Sequence, residues 1–150
     1  MIELLLYTLV AYVTNASCTL SKLLSQHPLD FGSGLLGPGK TIEGLLIGLN
    51  AGLFTSLLFN LDFRVSFYFI TAALLGDLLG SFFKRRLGIP RGGELPLIDQ
   101  VGFLLTSYLV LSFFINVSFW LALTLLVITF FIHRLSNKLA CALNLKNVPW

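Results

Sequence analysis

The chain contains five apolar runs that are each long enough, or nearly so, to cross a lipid bilayer. These runs cover residues 2–24, 42–60, 63–83, 97–115 and 117–132. A helical crossing of the hydrocarbon core needs about 20 apolar residues. Only 11% of the residues are charged, whereas roughly a quarter are charged in a soluble domain. The sequence therefore predicts an all-α integral membrane protein, a single domain over residues 1–150 with five transmembrane helices.

The positions of lysine and arginine predict the orientation of these helices, because basic residues near helix ends are retained on the cytoplasmic side. We expect the N-terminus outside and the C-terminus in the cytoplasm, since only Arg64 then lies outside. The other nine basic residues fall on the inner side: Lys22, Lys40, Lys84, Arg85, Arg86, Arg91, Arg134, Lys138 and Lys146. We therefore predict a multi-pass protein of the cell membrane with its active site on the cytoplasmic side, where anionic phosphates would be attracted.

The stretch GLLGPGKT, residues 34–41, matches the P-loop pattern G-x-x-x-x-G-K-[ST]. A P-loop requires a buried strand before the glycines and a helix after them. The preceding residues SQHPLDFGS predict turns instead of a strand, so we predict no P-loop fold. Gly37, Gly39 and Lys40 still offer backbone amides and a cation where a helix begins, which is typical of an anion-binding loop.

Asp77 lies within the third apolar run, six residues before its end. A charge at bilayer depth costs at least about 2.5–3.5 kcal/mol on insertion scales, so it indicates function by default. The structural alternative is an ion pair between Asp77 and Lys84 or another helix. Helical spacing places Arg86 on another face but aligns four polar residues at i, i+4, i+7 and i+8: Asp77, Ser81, Lys84 and Arg85.

Polar residues also mark the inner ends of the other predicted helices. The fourth helix opens with acidic and amide side chains, which the tight return GIPRGGELPL brings beside Asp77. All five helices therefore contribute polar residues to one end of the bundle, and we expect a polar cavity that faces the cytoplasm. Its candidate residues outside the third helix and the glycine loop are Asn15, Arg91, Asp99, Gln100 and Asn137.

Two carboxylates surrounded by lysine, arginine and glycine-rich turns suit a polyphosphate bound with Mg²⁺. An attacking lipid phosphate would be largely dianionic at neutral pH, because its second pKa is about 6. Such a reaction requires positioning and charge neutralisation, not a general base. The residues alone therefore predict Mg²⁺-dependent chemistry on phosphate groups.

The stretch GDLLGSFFKRRLGIPRGGELPLIDQ, residues 76–100, resembles the signature of the membrane CTP-dependent cytidylyltransferases. Together with LLGPGKTIEG and LKNVPW, it makes the chain similar to the archaeal CDP-archaeol synthase family from residue 15 to residue 150. The resemblance implies five transmembrane helices and Mg²⁺-dependent transfer of CMP from CTP to 2,3-di-O-geranylgeranylglyceryl phosphate, with a CDP-activated lipid and pyrophosphate as products. The implied partners are CTP and a lipid phosphate from the bilayer, with no nucleic acid and no obligate protein partner.

The resemblance also implies roles for individual residues. Asp77 and Asp99 are expected to hold Mg²⁺ and, with Lys84 and Arg85, to form the catalytic set. Substrate binding is expected from Asn15, Gly37, Gly39, Lys40, Ser81, Arg91, Gln100 and Asn137. The chain departs from the family pattern in three places: GPGKT replaces Gly-Asp-Gly-Lys-Thr, the preceding loop is shorter, and Gly102 replaces a second acid after Asp-Gln.

Other functions remain compatible with the same residues. An ester-linked phosphatidate is an alternative lipid substrate, giving CDP-diacylglycerol, and a CTP-dependent lipid kinase would release CDP instead of pyrophosphate. Outside enzymes, a small anion transporter or an assembly subunit could use a polar cavity of this kind.

Overall fold

A computed structural model describes residues 2–24, 26–90 and 93–142. Its helices are α1 (Ile2–Ser17), α2 (Ile42–Leu58), α3 (Phe63–Arg86), α4 (Ile98–Leu111) and α5 (Phe119–Ala142), and a 3₁₀ segment, Cys18–Leu23, follows α1. Within these described ranges there is no strand, only one isolated bridge between Pro28 and Thr41. The predicted all-α class is confirmed for this part of the chain.

Three helical stretches are long and apolar enough to cross a membrane, namely Ile2–Leu23, Phe63–Arg86 and Phe119–Leu139. Ile42–Leu58 and Ile98–Leu111 are apolar but shorter. The ends of the helices differ from the ends of the predicted apolar runs, because hydropathy does not detect a helix that continues through polar residues. Thus α5 runs past residue 132 to Ala142, whereas α1 ends at Ser17 and tightens into the 3₁₀ segment.

Helix α3 forms the centre of the bundle and packs against α1, α2 and α4. Its residues Phe69 and Ile70 are completely buried. The ring of Phe69 lies 5.1 Å from that of Tyr7 on α1, and the Oγ1 of Thr8 and the hydroxyl of Tyr108 share a hydrogen bond of 2.5 Å between α1 and α4. This apolar core occupies the half of the bundle away from the polar helix ends.

Glycines on α2 allow α1 to approach closely. An ideal Cβ on Gly48 would lie 2.5 Å from the Sγ of Cys18, and one on Gly52 would lie 2.3 Å from the Oγ1 of Thr14. Real side chains do not tolerate such distances, so a residue larger than glycine would push the helices apart. Small residues at four-residue spacing are a common means of packing helices within a bilayer. Cys18 therefore packs against α2 at this close contact.

A glycine also allows α3 and α4 to approach closely. An ideal Cβ on Gly76 would lie 2.1 Å from the Oγ1 of Thr106 and 2.9 Å from the carbonyl oxygen of Gly102. Thr106 Oγ1 also donates a 2.9 Å hydrogen bond to the carbonyl of Ala72 on α3. The close fit fixes the start of α4 beside the polar end of α3.

Helix α5 lies at the edge of the bundle and packs mainly on α4. Thr129 is its fully buried polar residue, and its Oγ1 shares a 2.6 Å hydrogen bond with the hydroxyl of Tyr12 on α1. Large apolar residues such as Trp120 and Phe131 are exposed on its outer side. In a membrane this side would face lipid, and the opposite side carries His133 and Asn137 to the polar end of the bundle.

Candidate active site

A cavity of about 1120 Å³ lies at the polar end of the bundle. It is lined by the C-terminal parts of α1, α3 and α5, the N-terminal parts of α2 and α4, the 3₁₀ segment and the glycine loop. Of the twelve site residues predicted from sequence, Arg91 lies outside the described residues. The other eleven all line this cavity: Asn15, Gly37, Gly39, Lys40, Asp77, Ser81, Lys84, Arg85, Asp99, Gln100 and Asn137.

The glycine loop, which in the structure comprises residues 27–41, is closed at its base by contacts between its two ends. The backbone N–H of Leu29 donates to the carbonyl of Lys40 at 2.8 Å, and that of Ile42 donates to the carbonyl of His27 at 3.0 Å. The side chain of Thr41 then caps α2, its Oγ1 accepting from the N–H of Gly44 at 3.1 Å. Lys40 is therefore held at the mouth of the cavity without the strand of a P-loop.

The inside of the glycine loop is organised by Asp30. Its carboxylate accepts hydrogen bonds from the backbone N–H groups of Leu36 at 3.0 Å, Gly37 at 3.1 Å and Gly32 at 3.1 Å. These bonds, led by those from Leu36 and Gly37, hold the pKa of Asp30 below its ordinary value. Gly37 has φ 86°, which favours glycine at the point where the loop turns toward the cavity.

Asp77 and Asp99 each contact one lysine in the cavity. Asp77 forms an ion pair with Lys40 of the glycine loop, and the Oδ1 of Asp99 lies 2.8 Å from the Nζ of Lys84. Asp77 is thus in an ion pair, as the structural alternative predicted, but its partner is Lys40 of the loop and the predicted partner Lys84 is wrong. Lys84 turns to α4 because the close packing of α3 and α4 brings Asp99 to within 4.0 Å of an ideal Cβ on Gly80. Both acids remain partly exposed, with 30% of the Asp77 side chain and 22% of the Asp99 side chain accessible.

The turn before α4 positions Asp99. Leu97 adopts φ 70°, which is strained for a residue with a side chain, and α4 begins at the next residue. The Oδ2 of Asp99 accepts the backbone N–H of Leu95 at 2.9 Å, so the first turn of α4 and the preceding return support the carboxylate. The positive end of the helix dipole further favours a negative charge at this position.

The two carboxylates fit a Mg²⁺ ion that is carried by a phosphate ligand. Each of the two carboxylates contacts a lysine ammonium group and remains partly exposed at the cavity wall. Within the described ranges, no group of three or more His, Cys, Asp or Glu residues could hold a metal on its own. Mg²⁺ in phosphate-transfer sites usually has only one or two carboxylate ligands, with phosphates and water as the others. Two carboxylates are therefore compatible with a metal ion whose remaining ligands are phosphate and water.

Arg85 and Arg86 have different environments, as their helix faces predict. Arg85 lines the cavity, donates from Nη1 to the carbonyl of Ile89 at 2.6 Å, and places its Nε 3.4 Å from an ideal Cβ on Gly37. Its Nε is buried and has no hydrogen-bond partner among the described residues. Arg86 instead stacks on the ring of Phe82 at 5.1 Å and does not line the cavity.

Glu94 was not among the residues predicted from sequence, yet it lines the cavity. One carboxylate oxygen accepts from the Nε2 of Gln100 at 2.5 Å, and the other lies 3.7 Å from the guanidinium of Arg134 on α5. Only its position in the charged return before α4 could have indicated this role. Glu94 therefore connects the return, α4 and α5 at one point of the wall.

Comparisons with known proteins identify the family to which the chain belongs. A family model described as CarS-like, CDP-archaeol synthase, matches residues 1–150. The CDP-archaeol synthase of Pyrobaculum islandicum is 42% identical over 93% of this chain and 92% of its own length, and that of Saccharolobus solfataricus is 37% identical over 100% of this chain and 96% of its own.

A solved structure of an intramembrane enzyme for archaeal membrane lipid biosynthesis has the same fold. It aligns with a TM-score of 0.78 and 34% identity, covering 88% of this chain and 90% of that one. Because the family model and the relatives both extend over nearly the whole chain, this protein belongs to the CarS-like family of CDP-archaeol synthases.

Proposed function

We propose that this protein transfers CMP from CTP to 2,3-di-O-geranylgeranylglyceryl phosphate, forming the CDP-activated archaeal ether lipid and pyrophosphate. The observation that carries the proposal is the single cavity in which two carboxylates, each in contact with a lysine, lie beside Arg85 and a glycine loop. This set of charges is suited to a nucleoside triphosphate and a second phosphate group. Membership of the family supplies the lipid class.

In the proposed reaction, an oxygen of the lipid phosphate attacks the α-phosphorus of CTP. A new P–O bond forms, the bond from the α-phosphorus to the bridging oxygen breaks, and pyrophosphate leaves with the bond electrons. The attacking phosphate is largely dianionic at neutral pH, so the cavity needs no general base. Lys40, Lys84 and Arg85 would bind the phosphate oxygens and offset the repulsion between the two anionic substrates.

We propose Asp77 and Asp99 as the carboxylate ligands of Mg²⁺. When bound, the metal would neutralise charge on the triphosphate and orient it. The side chains of Lys40 and Lys84 contribute to the same end, because an ammonium group has three donors and can contact a phosphate as well as a carboxylate. Gly37, Gly39, Ser81, Asn15, Gln100 and Asn137 would line the substrate-binding wall, as would Arg91, for which the structure gives no position.

We also propose that all five helices cross the membrane with the N-terminus outside and the C-terminus in the cytoplasm. The cavity is lined alternately by helix ends and helix starts, which is the pattern of a chain that reverses direction after each helix. At 1.5 Å per residue, the 17 residues of α2 extend about 26 Å and the 14 residues of α4 about 21 Å. Their flanking turns would complete these two crossings of a core about 30 Å thick.

The activity can be tested with purified protein, CTP, Mg²⁺ and three lipid conditions: the geranylgeranyl ether phosphate, an ester phosphatidate, and no lipid. We expect pyrophosphate release and a CDP-lipid mass with the ether phosphate, at a rate above that with phosphatidate. Preference for phosphatidate would overturn the lipid assignment, and CDP release would indicate a lipid kinase. Anion flux in proteoliposomes without CTP consumption would indicate a transporter.

The orientation can be tested with single cysteines in a variant that carries Cys18→Ala and Cys141→Ser. We expect a membrane-impermeant maleimide to label Asn116→Cys on intact cells, because that residue lies in the turn between α4 and α5. Ser33→Cys, in the glycine loop, should be labelled only after permeabilisation. The reverse labelling pattern would overturn the proposed orientation.

A further inference from the structure

We propose that the side-chain carbonyl of Gln100 accepts a hydrogen bond from the cytidine part of the nucleotide, and that Glu94 orients the Gln100 amide for this contact. Gln100 becomes a specificity-determining residue and Glu94 a positioning residue. The inference rests on the proposed function, because it assigns one contact within the same cavity.

The hydrogen bond to Glu94 defines which end of the Gln100 side-chain amide is the NH₂ group and which is the carbonyl oxygen. Its Nε2 lies 2.5 Å from the carboxylate of Glu94, and a carboxylate can only accept, so the NH₂ group must face Glu94. The other end of the amide is therefore the acceptor Oε1.

The Oε1 of Gln100 is a buried acceptor without a donor among the described residues, and Gln100 is one of the residues that line the cavity. Gln100 is 1% exposed, and among the described residues no donor contacts its Oε1. A buried acceptor without a donor is destabilising, and most such groups in folded proteins are satisfied. Since Gln100 lines the cavity, a ligand is the natural source of the missing donor.

The chemistry of the two substrates identifies the donor. Both free hydroxyls of glycerol are etherified in the proposed lipid, and its phosphate is largely deprotonated at neutral pH. CTP carries the exocyclic amine of cytosine and the 2′ and 3′ hydroxyls of ribose. An N–H or O–H of the nucleoside is therefore the partner that this acceptor can recognise, and an amide carbonyl that accepts from the cytosine amine would also disfavour uracil.

Glu94 holds the Gln100 amide in place and is itself in contact with α5. Glu94 belongs to the return before α4, and its second oxygen lies 3.7 Å from Arg134 on α5. Only 18% of the Glu94 side chain is exposed, so the carboxylate is held within the wall and is not a mobile surface group. Gln100 also directly follows Asp99, so the nucleoside contact and the proposed metal ligand are placed by the same first turn of α4.

The test is calorimetric binding of CTP, UTP, 2′-deoxy-CTP and 3′-deoxy-CTP, with Mg²⁺, to the purified full-length protein and to Gln100→Met. This variant keeps the length of the side chain but removes the acceptor. We expect CTP to bind about tenfold more weakly, equivalent to about 1.4 kcal/mol, and the preference for CTP over one of the three analogues to fall by the same factor. The analogue concerned identifies the base amine or the ribose hydroxyl as the donor.

The inference would be overturned if, in Gln100→Met, the affinity ratios of CTP to UTP, to 2′-deoxy-CTP and to 3′-deoxy-CTP all stayed within about twofold of their wild-type values. If Gln100→Met does not give a stable protein, Glu94→Leu tests the same contact, because an unanchored amide would lose the preference. Glu94→Gln retains an acceptor for the Nε2 of Gln100, so this variant should retain most of the preference for CTP. Unchanged ratios in Glu94→Leu would remove the positioning role of Glu94.

Asn50→Leu is the matched control, since this exposed amide bonds to the carbonyl of Leu46 within α2 and lies outside the cavity. Its ratios should equal those of the wild type. Binding does not require turnover, so failure of the inference and failure of the proposed function give different results. A wild-type protein that forms no CDP-lipid refutes the function, whereas unchanged binding ratios in Gln100→Met and Glu94→Leu refute the inference.

Discussion

Lys40 and Lys84 reach the cavity from different elements, and each contacts a different carboxylate. Lys40 extends from the glycine loop to Asp77 on α3, and Lys84 extends from α3 to Asp99 on α4. Both lysines are more than three-quarters buried in their side chains, so their charges are less screened than those of surface lysines. The period of a helix predicted which residues of α3 share the cavity face. It could not predict the partners, because these depend on how closely α3 and α4 pack.

The two neighbouring arginines at the end of α3 offer a direct comparison. We expect Arg85→Ala to lower kcat/KM for CTP by about tenfold or more, because a hydrogen bond to a charged group contributes roughly 1.5–3 kcal/mol. Arg86→Ala should change it by less than about threefold, since its guanidinium stacks on Phe82 outside the cavity. Steady-state kinetics of both variants in one detergent would check this. Equal losses would contradict the assignment of helix faces.

Glycine contacts between neighbouring helices determine where the polar helix ends meet. The apolar runs predicted the existence of the helices, but the glycines at residues 44, 48 and 52 of α2 and residue 76 of α3 were not recognised as packing positions. Their role becomes visible only when the facing residues are known, as with Cys18 opposite Gly48. The strained turn at Leu97 was equally inaccessible, because nothing in the side chain of leucine favours a positive φ.

Alanine substitutions at two helical glycines near the contact between α3 and α4 should have different effects on stability. Gly76→Ala would place a Cβ 2.1 Å from Thr106 Oγ1 and 2.9 Å from a backbone oxygen, and we expect it to destabilise the protein by about 1–3 kcal/mol. Gly102→Ala meets only the Ile98 side chain at 3.6 Å, so it should be neutral or stabilise by up to about 1 kcal/mol. Thermal unfolding in detergent would measure both. A Gly76→Ala protein with wild-type stability would refute the close contact.

The glycine loop should lose its order in acid through Asp30. The pKa of Asp30 is lowered in the folded loop by the backbone N–H groups of Leu36 and Gly37. Its stabilising contribution is therefore fully present above the unfolded pKa of about 3.9 and is lost as pH falls through the lower folded pKa. We expect amide exchange of residues 26–41, corrected for intrinsic rates, to be constant from neutral pH to about pH 4 and to rise below it.

The variant Asp30→Ala should show the fast exchange of the loop already at neutral pH, because the three N–H groups lose their acceptor. Asp30→Asn retains one acceptor oxygen and should be intermediate. An unchanged loop in Asp30→Ala would show that the bridge between Pro28 and Thr41 holds it without the carboxylate.

The whole molecule separates an apolar half from a polar half. Buried aromatic and aliphatic residues of α1, α3 and α4 fill one half, and the alternating helix ends enclose the polar cavity in the other. Composition was sufficient to predict an all-helical membrane protein, and the polar residues near the helix ends predicted which end of the bundle encloses the cavity. The contribution of Glu94 was not predictable, because a single acid in a return has no periodicity to indicate which helices it contacts.

The most direct measurement of the central claim follows two labels in CTP with the wild-type protein and Asp77→Asn. We expect an α-phosphorus label to enter the geranylgeranyl ether lipid and a γ-phosphorus label to leave in pyrophosphate. Asp77→Asn should remain folded and lower the transfer by about a hundredfold or more, since a lost metal ligand removes several kcal/mol of charge stabilisation. A γ-label in the lipid, no α-label in it, or unchanged transfer by Asp77→Asn would contradict the proposed cytidylyl transfer in this cavity.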